Sequence, residues 1–150
     1  MLGKLTRWLR MLGQDVEYTG SLDDKELTQK AKKERRVLLT RDLELYQQAT
    51  ARGVDAFLVE GSTEAQKLAN LAKRFKLKLE INVKVSRCPK CNTPIKPVSK
   101  DEIVEKIPKT TASNYNEFWL CPGCSQVYWR GAHWKRIDKT LREAKLTLEA

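Results

Sequence analysis

All four cysteines of the chain fall into two Cys-x-x-Cys tetrapeptides, Cys88-Pro89-Lys90-Cys91 and Cys121-Pro122-Gly123-Cys124. Four soft thiolates suit a tetrahedral zinc ion with sulfur at about 2.3 Å, because two intervening residues let a tight turn aim both sulfurs at one ion. The Pro after each first Cys and the Gly of the second tetrapeptide favour such turns. Unlinked thiols or two disulfides are the alternatives, and two symmetric knuckles with no cysteine left over argue against them. The intervening segment, 92–120, is longer than the usual zinc spacing of about 15–20 residues. A structural zinc site in a ribbon with a long hairpin excursion is therefore expected, held by Cys88, Cys91, Cys121 and Cys124.

A second set of groups is acidic. Asp42 stands two residues past the apolar run 36–40, RVLLT, and Asp23, Asp24 and Glu26 follow a short apolar stretch near Tyr18. If both stretches are parallel strands, these acids reach one sheet edge, where open α/β sheets place their sites. Converging carboxylates call for a cation, and hard oxygen ligands select Mg²⁺ or Mn²⁺. Such an ion can activate water and hold a scissile phosphate. The competing reading is that an Asp at a strand-to-helix junction is simply an N-cap.

The elements that must position these groups follow from periodicity. Leu2, Leu5, Trp8, Leu9 and Leu12 share a helical face, with Lys4, Arg7 and Arg10 largely elsewhere, and Gly13 is a natural stop. A strand is expected at 16–18, then a helix capped by Asp23 or Asp24 running to about Arg35, then the buried parallel strand 36–40. Asp42 opens a helix with Leu45, Tyr46 and Ala49 inward, and 54–59 forms the next strand. The run Thr63-Glu64-Ala65-Gln66 reads as a capping box before a helix carrying Leu68, Leu71, Ala72 and Phe75. This β-α-β-α rhythm predicts an α/β fold, a parallel sheet with helices on its faces. Residues 76–87 read as strand or linker and 126–130 as strand. A last helix from His133 is expected to bury Trp134, Ile137, Leu141, Ala144 and Leu148. The division expected is 1–84 for the α/β part and 85–150 for the zinc ribbon plus final helix.

The chain carries 29 Lys and Arg against 19 Asp and Glu, a net charge of +10. The excess is even, 17 basic against 12 acidic residues in 1–86 and 12 against 7 in 87–150. A spread excess of this kind favours a polyanionic partner, nucleic acid before others, although solubility alone is the bland alternative. No apolar run approaches the roughly 20 residues of a membrane span. The basic residues of the first helix also deny it a signal peptide's apolar core. Core packing explains that helix better than membrane anchoring. Paired thiols favour a reducing compartment, so a cytoplasmic protein is expected.

The runs MLGKLTRWLRMLGQDV, LDDKEL, RRVLLTRDLEL, CPKC with CPGC, and VYWRGAHW together resemble the Mut-seven carboxy-terminal RNase family, over essentially the whole chain. The resemblance implies a PIN-like nuclease fold coupled to a zinc ribbon. It also implies a metal-dependent RNase with Asp24 and Asp42 in the acidic positions and Asp23 and Glu26 as lesser candidates. Members usually carry an apolar strand ending in a metal-binding Asp just before the segment matching Met1-Leu2-Gly3-Lys4-Leu5. Here the chain starts at Met1, so two expectations stand: a true start upstream, or a member that binds RNA without cutting it. The second makes the partner ribosomal RNA or another ribonucleoprotein, and a zinc-ribbon adaptor for a protein partner is a third reading.

Lys4, Arg7, Arg41, Arg130, Lys135 and Arg136 are the candidate RNA contacts. Arg41 either clamps phosphate or pairs with nearby acids. His133, the single histidine, either caps the last helix or touches RNA. Trp119, Tyr128, Trp129 and Trp134 either stack on bases or close the ribbon's small core.

Overall fold

The first helix, α1 (Gly3–Met11), turns Leu5 and Leu9 inward at the i, i+4 spacing of one helix face. The computed structural model in which it is seen describes residues 2–150. Gly13 follows with φ +95, the left-handed turn that ends the helix. The strand expected at 16–18 does not form. Side chains occupy the backbone groups that a sheet neighbour would need: Val16 donates its N–H to Asn92 Oδ1 (3.2 Å) and its carbonyl accepts from Arg10 Nε (2.9 Å).

Helix α2 (Asp24–Glu34) leads through Arg35 in the left-handed region into β1 (Leu38–Thr40). Then come α3 (Leu43–Ala51), β2 (Ala56–Leu58) and α4 (Glu64–Phe75). β1 and β2 pair in parallel, Leu38 beside Ala56 and Thr40 beside Leu58, as a β-α-β unit requires. The expected small parallel sheet with flanking helices is thus present. At α4, Thr63 Oγ1 accepts from the Gln66 N–H (3.1 Å), but Gln66 Oε1 reaches back to the Ser62 N–H (2.8 Å), one residue before the cap.

Residues 76–87 are linker. Leu79 is buried, and Leu77 and Ile81 pack against the main core. The ribbon that follows is a three-stranded antiparallel sheet of β3 (Lys96–Val98), β4 (Phe118–Leu120) and β5 (Val127–Tyr128), in that spatial order. Its long excursion is not a bare hairpin. It folds into α5 (Lys100–Ile103), a 3-10 turn and α6 (Lys109–Asn114), with Ile103 and Ile107 buried in one cluster with Phe118 and Val127.

Helix α7 (Trp134–Glu149) follows the ribbon in the chain but packs on α4. Its Leu141 and Ala144 share a core with Leu5, Leu9, Leu68, Leu71 and Leu79. Trp134 and Ile137 are half-buried, whereas Leu148, expected inward, is exposed in the final turn, one turn beyond Ala144.

Candidate functional site: a four-cysteine metal centre and an acidic sheet edge

The two knuckles close on each other with matching backbone. Asn92 and Ser125, each the residue after a second Cys, adopt φ +74 and +66 and donate their N–H groups to the carbonyls of Cys88 and Cys121 (both 2.8 Å). The Cys88 N–H bonds to the Thr93 carbonyl and the Cys121 N–H to the Gln126 carbonyl, so the second knuckle repeats the first. All four sulfurs lie within 4.8 Å of one another. Cys88 and Cys124 are 3.7 Å apart and Cys91 and Cys121 3.3 Å. A tetrahedron with arms of about 2.3 Å has edges of about 3.8 Å. The donors and spacing therefore fit a structural zinc ion, with no open position for a substrate.

Neighbouring groups tune the sulfurs. The Thr93 hydroxyl, 3.3 Å from Cys91 Sγ, and the Thr93 amide lower the Cys91 thiol to about 6. Burial pushes the Cys121 thiol up to about 12. Tyr128 is held as a phenol, first by burial and then by Cys88, and its hydroxyl lies 2.9 Å from Cys88 Sγ. A hydroxyl donated to a ligating thiolate is the kind of outer contact that fixes a metal ligand. Thr93, two residues past Cys91, was missed in the sequence because its type is not a ligand; Tyr128 is read there as a stacking or core residue, not as a partner of a metal ligand.

The acidic candidates occupy helix starts. Asp42 caps α3, its Oδ1 accepting from the N–H groups of Glu44 (2.9 Å) and Leu45 (3.4 Å), while its own N–H donates to Thr40 Oγ1 (3.0 Å). Asp23 caps α2 through the Glu26 N–H (2.8 Å), and Asp24 and Glu26 lie in the first turn of that helix. All four acids are exposed. Among the described residues, the cysteines are the group of three or more candidate ligands that comes together; Asp23, Asp24, Glu26 and Asp42 do not gather in that way. Beside Asp42, Arg41 donates to the Gly61 carbonyl (3.0 Å) across a cleft of about 530 Å³ at the end of β2, lined also by Glu60, Ser62 and Gln66.

A family model, the Mut7-C RNAse domain, matches residues 1–141. The chain belongs to this family. No match came from the curated proteins or from the solved structures.

In this Mut7-C RNAse domain the basic candidates separate into outer and inner groups. Lys4, Arg7, Arg130, Lys135 and Arg136 are exposed. Arg10, read as an outer residue, is buried to 8 % exposure and spans two segments, with Nε to the Val16 carbonyl and NH1 to the Pro89 carbonyl (both 2.9 Å). The His133 side chain does not cap α7; only its carbonyl bonds there, to the N–H groups of Arg136 and Ile137. Of the aromatics, Trp119 is buried, Trp129 packs on Phe118 with centroids 6.2 Å apart, and Tyr128 is tied to Cys88. Trp134 remains half-open, with the Arg130 guanidinium over its ring at 5.4 Å and over Trp119 at 5.6 Å.

Proposed function

We propose that this protein is a metal-dependent ribonuclease whose Asp24 and Asp42, with Asp23 and Glu26 in support, hold Mg²⁺ or Mn²⁺ at the carboxyl edge of the β1–β2 sheet. Membership of an RNase domain family over residues 1–141 carries this reading. The placement of elements supports it. Helix α2 packs against β1, and Asp42 stands two residues past the end of β1, at the strand-to-helix junction where such an ion would bind. Asp42 commits only Oδ1 to its cap, and Oδ2 is outside those bonds. A divalent ion there would bind a phosphate oxygen and lower the pKa of the attacking water. The net charge of +10 supplies the attraction for RNA, with Lys4, Arg7, Arg41 and the exposed basic residues near α7 as contacts. The zinc ribbon positions RNA rather than cutting it, and a reducing, cytoplasmic setting suits its four thiolates.

The dispersed, helix-capping state of the acids favours a second reading, an RNA-binding protein without cleavage that docks on ribosomal RNA or another ribonucleoprotein. One experiment separates the two. Wild type and Asp42→Asn are incubated with structured and unstructured RNA, with Mg²⁺ or Mn²⁺ added or omitted; omission replaces chelation because a chelator also strips zinc. Asn caps a helix about as well as Asp, so the variant should fold normally and cleave about a hundredfold more slowly or worse, the scale of losing one preorganised electrostatic contact. Full-rate cleavage by Asp42→Asn rejects the carboxylate site. RNA binding by wild type without cleavage in any metal selects the second reading.

A further inference from the structure

A groove runs between α7 and the linker in front of the ribbon. Its α7 wall is a stripe at helical spacing, Trp134, Asp138, Leu141, Arg142 and Lys145; the facing wall is 79–81, and Arg130 closes one end. The volume of this open groove is about 390 Å³. Leu79 and Leu141 lie at its base but are buried, so most of the exposed lining is polar. Lys145 Nζ meets Glu80 Oε1 at 3.2 Å, an exposed ion pair that bridges the two walls. Arg130 and Arg142 differ from it: among the described residues neither takes part in an ion pair. Arg130 is also pre-ordered, its guanidinium set over both Trp119 and Trp134.

We infer that this groove binds one or two nucleotides of single-stranded RNA. The inference rests on the RNA-directed function proposed above and assigns that function a surface. The chemistry of the groove fits a nucleotide part by part. An unstacked base finds the half-open indole of Trp134, the aromatic contact that single-strand binders use. The phosphates on either side meet Arg130 and Arg142. Asp138, which would repel a bare polyanion, accepts a hydrogen bond from a 2′-hydroxyl or an exocyclic amine. Duplex RNA keeps its bases inside the stack and cannot present one to that indole.

The test is the anisotropy of a fluorescein-labelled single-stranded RNA decamer, titrated with full-length protein at several salt concentrations with Mg²⁺ and Mn²⁺ omitted. Arg142→Glu and Arg130→Gln are compared with wild type, after confirming equal zinc content and melting temperature. We expect Arg142→Glu to weaken binding about tenfold, and each variant to lower the salt slope by about one. RNA carrying 4-thiouridine should crosslink to Trp134 or Lys145. Wild-type affinity in both variants, or crosslinks confined to the sheet edge near Arg41, overturns the groove while leaving the RNA-directed function standing. Binding here, with no cleavage once Mg²⁺ or Mn²⁺ is restored, removes the nuclease and keeps the groove. If wild type binds no RNA, both fall.

Discussion

Gly123 is where the two knuckles press together, and Gly123→Ala tests the metal centre with a single methyl group. A Cβ at Gly123 would lie 2.5 Å from Thr93 Oγ1, 3.1 Å from Thr93 Cβ and 3.3 Å from Cys91 Sγ. Rotating the Thr93 side chain relieves the first contact but not the second. Nor can the Thr93 backbone withdraw freely, because its carbonyl accepts the Cys88 N–H at 2.8 Å. Overpacking of this kind costs about 1–3 kcal/mol. Borne by the metal-bound state, that is a loss of zinc affinity of about fivefold to 150-fold. Rotation would also take the Thr93 hydroxyl away from Cys91, the contact that most lowers its thiol. Competition against a chromophoric chelator measures the affinity directly. Gly20→Ala, where nothing lies within 4 Å of the added methyl, is the control. Adding Thr93→Ala to Gly123→Ala removes the nearest atom and should recover part of the loss, a coupling of about 0.5 kcal/mol or more. Zinc affinity in Gly123→Ala within twofold of wild type would refute the packed arrangement of the knuckles.

Other perturbations probe the rest of the frame. Cys121→Ser, at a fully buried ligand, should lower zinc from about one ion per chain by elemental analysis and reduce the melting temperature, since zinc-site binding energy is largely folding energy; unchanged content and melting would reject the metal centre. Asp15→Asn addresses pH. Asp15 is held below the usual carboxylate range by the Asn92 side-chain amide and then by Arg36, so its stabilisation is complete above a pH of about 4 and fades as pH falls through the lower folded value. The melting-temperature gap between wild type and Asp15→Asn should therefore narrow in acid, stay small throughout because the pair is exposed, and refute the assignment if it widens. Leu68→Ala removes a fully buried side chain from the core that α7 completes, and should cost about 2–5 kcal/mol in denaturant unfolding; a cost below about 1 kcal/mol would mean that the core is not packed as described.

What the sequence disclosed was local. The knuckles, the caps at Asp23, Asp42 and Thr63 and the parallel β1–β2 pair all depend on residues within a few positions of one another or on a simple period. What it hid was contact at a distance. Arg10 follows a leucine on α1 and looks like an outer charge; its burial depends on the Pro89 carbonyl, 79 residues away. The apparent strand at 16–18 has the right composition, but an Asn from the first knuckle takes its backbone donor. Helices α5 and α6, of 4 and 6 residues, are too short to show a period. The acids are a different case. N-cap and metal ligand call for the same residue at the same end of a strand, so pattern alone could locate Asp42 but not give it a role.

The first knuckle is tied to the end of α1 and to the segment that leads into α2, and this changes how chelation is to be read. Asn92 of the first knuckle holds Asp15 through its side-chain nitrogen (2.6 Å) and Val16 through its oxygen. The Arg87 N–H bonds to the Arg10 carbonyl (2.8 Å), and Ser86 Oγ donates to the Met11 carbonyl (2.8 Å). The end of α1 and the segment leading to the Asp23 cap are thus clamped to a turn whose shape depends on Cys88 and Cys91. Stripping zinc would loosen the approach to α2 and with it Asp23, Asp24 and Glu26. Loss of cleavage on adding a chelator is therefore no proof of a catalytic ion. Asp42→Asn with zinc intact should raise the Mg²⁺ needed for cleavage without moving the melting temperature, whereas Cys121→Ser should move both. If Cys121→Ser lowers the melting temperature and leaves cleavage at its wild-type rate, the clamp does not reach the acids of α2.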